Sequence, residues 1–325
     1  MSSTTAFRQG IYQFDWARRV VRWLDAMPNA ALAVEVAPDR VAAARWSRTG
    51  SLDGYAVESL PVGALAPSAV EANIVNGAAV KAAVTNVCNH LDCRDEDVAM
   101  ILPDTVIRVF VQHFEEFPRS AAEAVPMLRW KLKKSVPFEV DETLISYMRQ
   151  APRETGIDVV TALARLRIIR EYESLVEGIG LHPGVVLSSS LAAISLVEDE
   201  KPTLLARVSG STLTTAIVRR GVLCGYRCTE LPAHGVNLKP QMLLEEIFPV
   251  AAYYQDTWQE AIQSVCVAGL GTRLAEFVRP LEEEFHCDVR SLLQSAVSDG
   301  RIKEDARPLA ERDLEGLIGW MLQRG

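Results

Sequence analysis

The fold is decided by one stretch of the chain: Thr203-Leu-Leu-Ala-Arg-Val208, Ser209-Gly210, Thr212-Leu-Thr-Thr-Ala-Ile-Val218, Arg220-Gly221, Val222-Leu-Cys-Gly-Tyr226. Three short apolar segments are separated here by two tight turns, which predicts a meander of three antiparallel strands. The same scheme of strand, turn, strand, turn, strand occurs earlier, in residues 31–36, 40–46 and 55–60. Because one chain makes the same meander twice, we infer an internal duplication and expect two similar halves.

Helical and apolar segments continue the first half. Residues 78–91 have the spacing of a helix with one apolar face, and residues 98–102 are typical of a buried strand that stops at Pro103-Asp104. Three strands, a helix and a strand are the order of half of a ribonuclease H-like domain. A different block follows, with a strand pattern over 105–113, a helical pattern over 120–135 and two more strand patterns. We interpret this block as an inserted α+β subdomain.

The two halves are separated by a polar break that ends in proline, at residues 198–202. The predicted fold class is therefore α/β, with two ribonuclease H-like lobes. The predicted division is an amphipathic extension at 1–29, a first lobe at 30–200 with the inserted subdomain at about 104–165, a second lobe at 201–290 and a tail at 291–325.

The composition is that of an ordinary globular protein. Of the 325 residues, 49% are hydrophobic and 23% are charged, as in folded domains. The net charge of -8 argues against a nucleic-acid partner, because phosphates require a basic face. No apolar run approaches the ~20 residues that cross a bilayer, so we expect a cytoplasmic protein. The six cysteines lack the spacing of a disulfide framework or a metal site, and we interpret them as free thiols.

Residues 8–27 have the pattern of a basic amphipathic helix. Aromatic and apolar residues recur at helical spacing, with arginines beside them. Such a helix can lie on an anionic membrane, bind a partner or pack on its own domain. The sequence leaves these interpretations open.

One segment resembles a known family most closely. It runs from Phe117-Pro118 through Leu128-Arg-Trp130 to Val136-Pro137-Phe138-Glu139. It is similar to the PilM family of type IV pilus and type II secretion assembly proteins, in which a helix with a tryptophan ends in Ile/Val-Pro-Phe. Further PilM-like stretches follow the order of the family: Ile101-Leu-Pro103, Gly180-Leu181-His-Pro183 and Ser190-Leu191-Ala192. The resemblance implies two actin/Hsp70-like ATPase lobes and covers residues 31 to about 290.

In the superfamily that this resemblance implies, two β-hairpins grip the phosphates of ATP, and each begins with Asp-x-Gly. The carboxylate organises Mg²⁺, and the glycine lets the backbone approach the phosphate. In the first hairpin of this chain, Glu35 stands at the Asp position, Ala37 replaces the glycine and Pro38 lacks an N–H donor. In the second hairpin, Arg207 stands at the Asp position, where a cation would repel Mg²⁺. A surface position for Arg207 is the alternative interpretation.

The tip of the second hairpin keeps part of the implied phosphate contact. Ser209 replaces the glycine of the family pattern. Gly210, Ser211 and Thr212 could still donate hydrogen bonds to a phosphate.

The adenosine side of the implied nucleotide site is altered as well. The Gly-Gly turn against adenosine has become Gly269-Leu270-Gly271, in which Leu270 places a branched side chain near the base. The subdomain that covers the adenine in the family is much reduced here, between residues 231 and 245. An ordinary site buries about 70–90% of its ligand, which a cleft open on one side does not achieve. We therefore predict a degenerate PilM-like pseudo-ATPase with no cofactor.

As the resemblance implies, the predicted function is a scaffold or adaptor that binds the cytoplasmic tail of a PilN-like inner-membrane protein. The predicted location is the cytoplasmic face of the inner membrane, reached through that partner or through the N-terminal helix, and a homodimer is possible. A peptide would bind in a groove beside the inserted subdomain. The candidate groove residues are Leu128, Trp130, Leu132, Phe138 and Tyr147, for each of which core packing is the alternative.

Two other functions remain open at the level of sequence. The first alternative is a conformational switch that binds ATP and Mg²⁺ without catalysis. The second is a kinase or phosphatase of the same superfamily acting on a sugar or another small molecule, which requires a catalytic carboxylate in the cleft.

Overall fold

The computed structural model describes residues 30–47, 49–198 and 200–324. The strands are β1 (Leu32–Val36), β2 (Arg40–Trp46), β3 (Leu52–Ser59), β4 (Asp97–Leu102), β5 (Arg108–Phe114), β6 (Thr143–Pro152), β7 (Ile157–Arg165), β8 (His182–Ser188), β9 (Thr203–Ser209), β10 (Thr212–Arg219), β11 (Val222–Glu230), β12 (Ser264–Ala268) and β13 (Asp288–Ser291). The helices are α1 (Gly77–His90), α2 (Ala121–Leu132), α3 (Leu166–Glu177), α4 (Ser189–Ala193), α5 (Pro240–Trp258), α6 (Leu274–Phe285), α7 (Leu292–Ser298), α8 (Arg307–Ala310) and α9 (Glu315–Arg324).

Two five-stranded sheets have the same strand order. The first is β3-β2-β1-β4-β8 and the second is β11-β10-β9-β12-β13. In each sheet the first three strands form an antiparallel meander, and the remaining strands continue parallel to the first strand of that meander. The duplication inferred from the repeated apolar segments is therefore present in the sheet topology.

The turns of the meanders explain why the repeat is visible in the sequence. In the second meander, Arg220 and Gly221 connect β10 to β11 with φ values of 47° and 74°. A two-residue hairpin turn with both φ values positive matches the twist of its strands, and glycine adopts this conformation without strain. Gly180 has φ 81° just after α3, a conformation that glycine adopts without strain at a helix end.

A third sheet, β5-β7-β6, is antiparallel throughout and lies between β4 and β8 in the chain. It corresponds to the block that the sequence sets apart as an insertion. A separate small core joins it to α2 through Phe114, Phe117, Leu128 and Val159. Gln150 ties it to the second sheet, because its side chain donates to the carbonyl of Leu223 and accepts from the amide of Leu223, each at 2.8 Å.

The largest apolar core is shared by both halves. It extends from the first sheet across one face of the second sheet and includes Leu205, Ala216 and Cys266. The other face of the second sheet packs on α5 and α6 in a second core. The two sheets are thus joined by packed side chains.

The C-terminal residues pack on the first half of the chain. Helix α9 lies against α4, and the Trp320 indole donates to the carbonyl of Ala30 at 3.2 Å. Contact between the two helices is close at Gly319, where an added Cβ would stand 2.1 Å from the carbonyl oxygen of Ala192. The sequence leaves this tail without an assigned contact.

Two strands extend beyond their predicted bounds. β3 begins at Leu52 instead of Tyr55, and β11 continues to Glu230 instead of ending at Tyr226. Both are half-exposed edge strands, so their apolar pattern is incomplete. The predicted helix over 8–27 lies outside the described residues. No helix within the described ranges is long and apolar enough to span a bilayer.

Candidate functional site at the ends of the central strands

The central strands of the two sheets end beside each other. Glu35 lies near the carboxyl end of β1, Asp104 follows β4 after one proline, and Arg207 lies near the carboxyl end of β9. Glu315 is the first residue of α9. In open α/β sheets, the carboxyl ends of parallel strands are the edge at which ligands bind. We therefore take these four residues, the Arg207 cluster, as the candidate functional site.

Arg207 is buried among three carboxylates. Its side chain is 6% exposed, and its guanidinium lies 3.4 Å from Asp104, 3.5 Å from Glu315 and 3.7 Å from Glu35. Burial lowers the pKa of Arg207, but Glu315, Asp104 and Glu35 together raise it above its ordinary value. The guanidinium therefore stays charged, and the surface position considered for Arg207 is wrong.

Asp104 connects the two halves by hydrogen bonds. On one side it accepts from the Ser190 amide at 2.8 Å and from the Ser190 hydroxyl at 2.5 Å. On the other side it accepts from Thr214 at 3.0 Å, Tyr226 at 3.4 Å and Arg207 at 3.4 Å. Charged acceptors with several donors are well stabilised in a buried site. This carboxylate is therefore a polar link between the first and second sheets.

Opposing effects act on the pKa of Glu35. Burial raises its pKa, while Arg207 and the hydrogen bond from Ser189, at 2.5 Å, act in the opposite direction. Glu35 is also the carboxylate farthest from the guanidinium. Burial thus shifts Glu35 towards its protonated form relative to an exposed glutamate.

The centre of the Arg207 cluster is occupied by a side-chain cation, the guanidinium of Arg207. Among the described residues, no group of three or more His, Cys, Asp or Glu side chains is placed to hold a metal. Glu35 Oε2 and Glu315 Oε1 are buried without a hydrogen-bond partner within the same ranges. Such atoms leave the cluster with unused acceptor capacity.

The predicted hairpin and adenosine positions surround the Arg207 cluster. Ala37 and Pro38 lie in the turn between β1 and β2, where the Ala37 amide donates to the Arg40 carbonyl at 2.8 Å. Ser209, Gly210, Ser211 and Thr212 form the turn between β9 and β10. The Arg40 guanidinium donates to the carbonyl of Asp313 at 2.7 Å, so the first hairpin contacts the segment before α9.

Gly269 is required where the turn after β12 meets the second hairpin. A Cβ at this position, where φ is 77°, would stand 1.8 Å from the carbonyl oxygen of Val208. Leu270 and Gly271 follow in the same turn, and all three residues line a cavity of about 580 Å³.

Solved structures of other proteins share this architecture. A PilM-PilN type IV pilus biogenesis complex matches 90% of this chain and 97% of its own chain, with a TM-score of 0.68 at 15% identity. The chain has a PilM-like fold. The cytoplasmic domain of EpsL, an inner membrane component of the type II secretion system of Vibrio cholerae, matches 73% of this chain and 80% of its own, with a TM-score of 0.46 at 12% identity.

A protein of Bacteroides thetaiotaomicron with an actin-like ATPase fold and unknown function matches 92% of this chain and 99% of its own, with a TM-score of 0.48 at 10% identity. The PilM-like fold rests on the similarity to the PilM-PilN complex, which has the higher TM-score. The resemblance inferred from sequence motifs is confirmed at the level of the fold. At the level of sequence, neither a protein-family model nor a curated protein matches the chain.

The candidate groove residues of the PilM-like insertion have different environments. Leu128 and Leu132 are fully buried, so the structure corrects them to core residues. Trp130 is 80% exposed on the outer face of α2. Phe138 is half-buried, with the Arg165 guanidinium 6.0 Å from its ring centre.

Tyr147 lies at the border of a crevice, with its ring on the side of the inserted sheet that packs against Phe117. It lines a narrow, mostly apolar crevice of about 50 Å³ between the inserted sheet, α4, α9 and the turn between β10 and β11. Its ring packs edge-on against Phe117, with the ring centres 5.5 Å apart. Burial raises the pKa of Tyr147, in keeping with this half-enclosed position.

Sequence reasoning missed two members of the Arg207 cluster. Asp104 could have been predicted as a site residue from the sequence, because it follows a buried strand at the edge of the sheet where ligands bind in such folds. Glu315 carried no local signal, since it lies in a tail that sequence patterns did not connect to either half. Its place in the cluster results from the packing of α9 on α4.

Proposed function

We propose that this chain is a non-catalytic PilM-like scaffold in a pilus or secretion machine. The observation behind this proposal is the buried guanidinium of Arg207 among three carboxylates. Arg207 lies at the ends of the central strands, where the actin/Hsp70-like ATPases that this chain resembles hold Mg²⁺ and phosphates. In this proposal the two lobes close on an internal ion cluster instead of a nucleotide.

Electrostatics supports the proposed loss of catalysis. A Mg²⁺ ion needs oxygen ligands at about 2.0–2.1 Å in octahedral geometry. The carboxylates that could supply them already compensate Arg207, and a second cation among them would be repelled. Displacing Arg207 would leave a charged group buried without a partner, at a cost of several kcal/mol, about 3–5 in measured cases.

A titration with ATP and Mg²⁺ tests the non-catalytic part of the proposal. We expect no heat of binding in calorimetry with nucleotide up to about 1 mM. A micromolar dissociation constant would instead support the ATP-binding switch. An ATP-dependent phosphoryl transfer that Glu35→Gln abolishes would support the enzyme alternative.

The proposed partner is the cytoplasmic tail of a PilN-like inner-membrane protein, which would hold the scaffold at the membrane face. Support comes from the fold shared with the PilM-PilN complex and from two aromatic residues of the inserted subdomain. Trp130 is exposed, and Tyr147 borders the crevice beside α4. Exposed aromatic side chains are enriched among the residues that dominate binding energies.

The partner proposal is tested with a fluorescent peptide that carries the N-terminal cytoplasmic tail of a PilN-like protein from the same organism. We expect Trp130→Ala to weaken binding by 2 kcal/mol or more, about 30-fold, because truncated aromatic hot spots cost this much. Tyr253→Ala is the matched control, since Tyr253 is 70% exposed on α5 in the other half of the chain. Equal affinities of the Trp130→Ala and Tyr253→Ala variants, or no binding by the wild type, would contradict the proposal.

A further inference from the structure

Trp130 differs in its surroundings from the other tryptophans within the described residues. It is 80% exposed on α2, whereas Trp46 and Trp320 are buried and Trp258 is half-buried. A tryptophan ring favours burial, while its N–H group favours a polar partner. The exposed ring of Trp130 therefore suits a partner that is apolar on one side and wet on the other.

Exposed residues surround Trp130 on the outer face of α2. Pro126 lies one turn before it, and Lys133 and Lys134 lie three and four positions after it, where a helix brings side chains to the same side. The ammonium groups of both lysines make no hydrogen bond or ion pair with another described residue. The acid on this side of the helix, Glu123, lies seven residues before Trp130, about 10 Å along the axis. We call Pro126, Trp130, Lys133 and Lys134 the Trp130 face.

The charge at this end of α2 is positive, although the chain as a whole has a net charge of -8. Arg129 lies 3.9 Å from Asp141, and Glu142 lies 3.3 Å from Arg165, so these charges compensate one another. Glu139 is the remaining acid between residues 129 and 142. The exposed cations that face it are Lys131, Lys133 and Lys134. The local excess of positive charge complements an anionic partner.

The helix dipole explains the lysines but not the tryptophan among them. Cations are stabilised at the C-terminus of a helix, whereas an exposed aromatic ring gains nothing from the dipole. The surface of an anionic bilayer suits both, because lysines approach its charged headgroups and tryptophan lies at the level of the headgroups. Such a partner needs no pocket, and no residue of α2 lines the cavities of about 580, 350 and 50 Å³ among the described residues.

We propose that the Trp130 face binds the surface of a bilayer that contains anionic lipids. Lys133 and Lys134 contact the headgroups, and the Trp130 ring lies between them beside Pro126. Each lysine close to such a surface strengthens binding about fivefold, so three lysines together contribute about 100-fold. The contact is therefore weak and reversible, and stable anchoring requires a second signal. This inference does not rest on the proposed adaptor role.

The test is sedimentation of the full chain with vesicles of phosphatidylcholine alone and with vesicles of phosphatidylcholine and phosphatidylglycerol in equal parts. At low salt we expect at least about tenfold stronger binding to the anionic vesicles, and we expect high salt to remove this preference by screening. Equal binding to both vesicles, or no binding to the anionic ones, overturns the proposal. Poly-glutamate is titrated in parallel. Binding of poly-glutamate without binding of anionic vesicles also overturns the proposal and assigns the face to an acidic peptide.

Substitutions tie the vesicle binding to this face. Replacing both Lys133 and Lys134 by Gln should weaken binding to anionic vesicles about 25-fold, and Trp130→Ala should weaken it at least about threefold. The matched control replaces two exposed lysines on other elements, Lys81 and Lys239, by Gln. Unchanged binding after the Lys133 and Lys134 substitutions, or equal weakening in the control, refutes the proposed face.

The N-terminal segment is a second basic part of the chain, and its contribution can be separated. Its arginines are Arg8, Arg18, Arg19 and Arg22. If replacing these four by Gln abolishes vesicle binding while the Lys133 and Lys134 substitutions leave it unchanged, the contact belongs to the N-terminal segment and the proposal is wrong. Trp130→Ala enters the tail-peptide experiment as well. Loss of peptide binding with unchanged vesicle binding would overturn the lipid contact and leave the adaptor proposal standing, and the reverse result would do the opposite.

Discussion

Replacing Arg207 by methionine tests the role of the ion cluster as an internal clamp. Methionine keeps much of the volume and removes the charge, so Asp104 and Glu315 are left buried without their common cation. Removing one partner of a buried ion pair costs about 3–5 kcal/mol. The costs of the three contacts do not add, because burial raises the pKa of Glu35 and Asp104 keeps hydrogen bonds from Ser190 and Thr214.

This loss should be large compared with the stability of the protein. Folded proteins are stable by about 5–15 kcal/mol in total. For a chain of 325 residues, we expect the melting temperature of Arg207→Met to fall by about 4–7 °C. Circular dichroism measures the melting temperature at a fixed scan rate. Small-angle scattering of the same samples should show a larger radius of gyration, because the cluster joins both sheets and α9.

Two further variants test whether the loss of stability comes from the buried ion cluster. Arg227→Met removes a half-exposed cation that lies 3.3 Å from Glu246, and such a pair contributes at most about 1 kcal/mol. Glu315→Gln in the Arg207→Met background removes one of the stranded charges and should restore part of the stability, by about 1 kcal/mol or more. If Arg207→Met melts within error of Arg227→Met, the cluster does not clamp the halves.

Two other substitutions test neighbouring parts of this arrangement. Gly319→Ala should lower the melting temperature by more than about 4 °C, because its Cβ would stand 2.1 Å from the carbonyl oxygen of Ala192. Gly225→Ala is the control and should change the melting temperature little, because the space at its Cβ position is open. Equal melting temperatures of the two variants would contradict the close contact of α9 with α4. Burial raises the pKa of Glu35 above its ordinary value of 4.5. Between pH 4.5 and the raised pKa, the folded state therefore keeps a proton that the unfolded chain has lost. The stability that Glu35 contributes falls as the pH rises through this window. The melting temperature of Glu35→Gln relative to wild type should therefore rise with pH in that window, and a difference independent of pH would show that Glu35 is ionised in the folded protein.

The fold was largely predictable because its determinants are local. The segments 203–208 and 212–218 are apolar, short and bounded by glycine turns, and the structure forms β9 and β10 there. The repeat of this pattern predicts the repeated topology without any knowledge of long-range contacts. The bounds of β3 and β11 were less predictable, since half-exposed edge strands do not need a complete apolar alternation.

The candidate site was only partly predictable, because it is made by long-range packing. Arg207 was singled out from its place in a hairpin, but its three carboxylates come from other elements. Glu315 reaches the site because Gly319 lets α9 approach α4, a contact that no local pattern encodes. Similarly, Leu128 and Leu132 have the same helical spacing as groove residues would have, and only the packing of the inserted sheet on α2 places them in a core.

The two halves already share an apolar core, so a buried ion cluster is not needed to hold them together. Well-packed hydrophobic residues often stabilise a protein as much as a buried ion pair does, so stability alone does not explain Arg207. Apolar contacts are nondirectional, whereas the guanidinium must meet Asp104, Glu315 and Glu35 in one geometry. We therefore propose that the cluster favours a single relative position of the two sheets and α9. A scaffold that presents a fixed binding surface needs such a selected position, and a nucleotide-driven switch needs two.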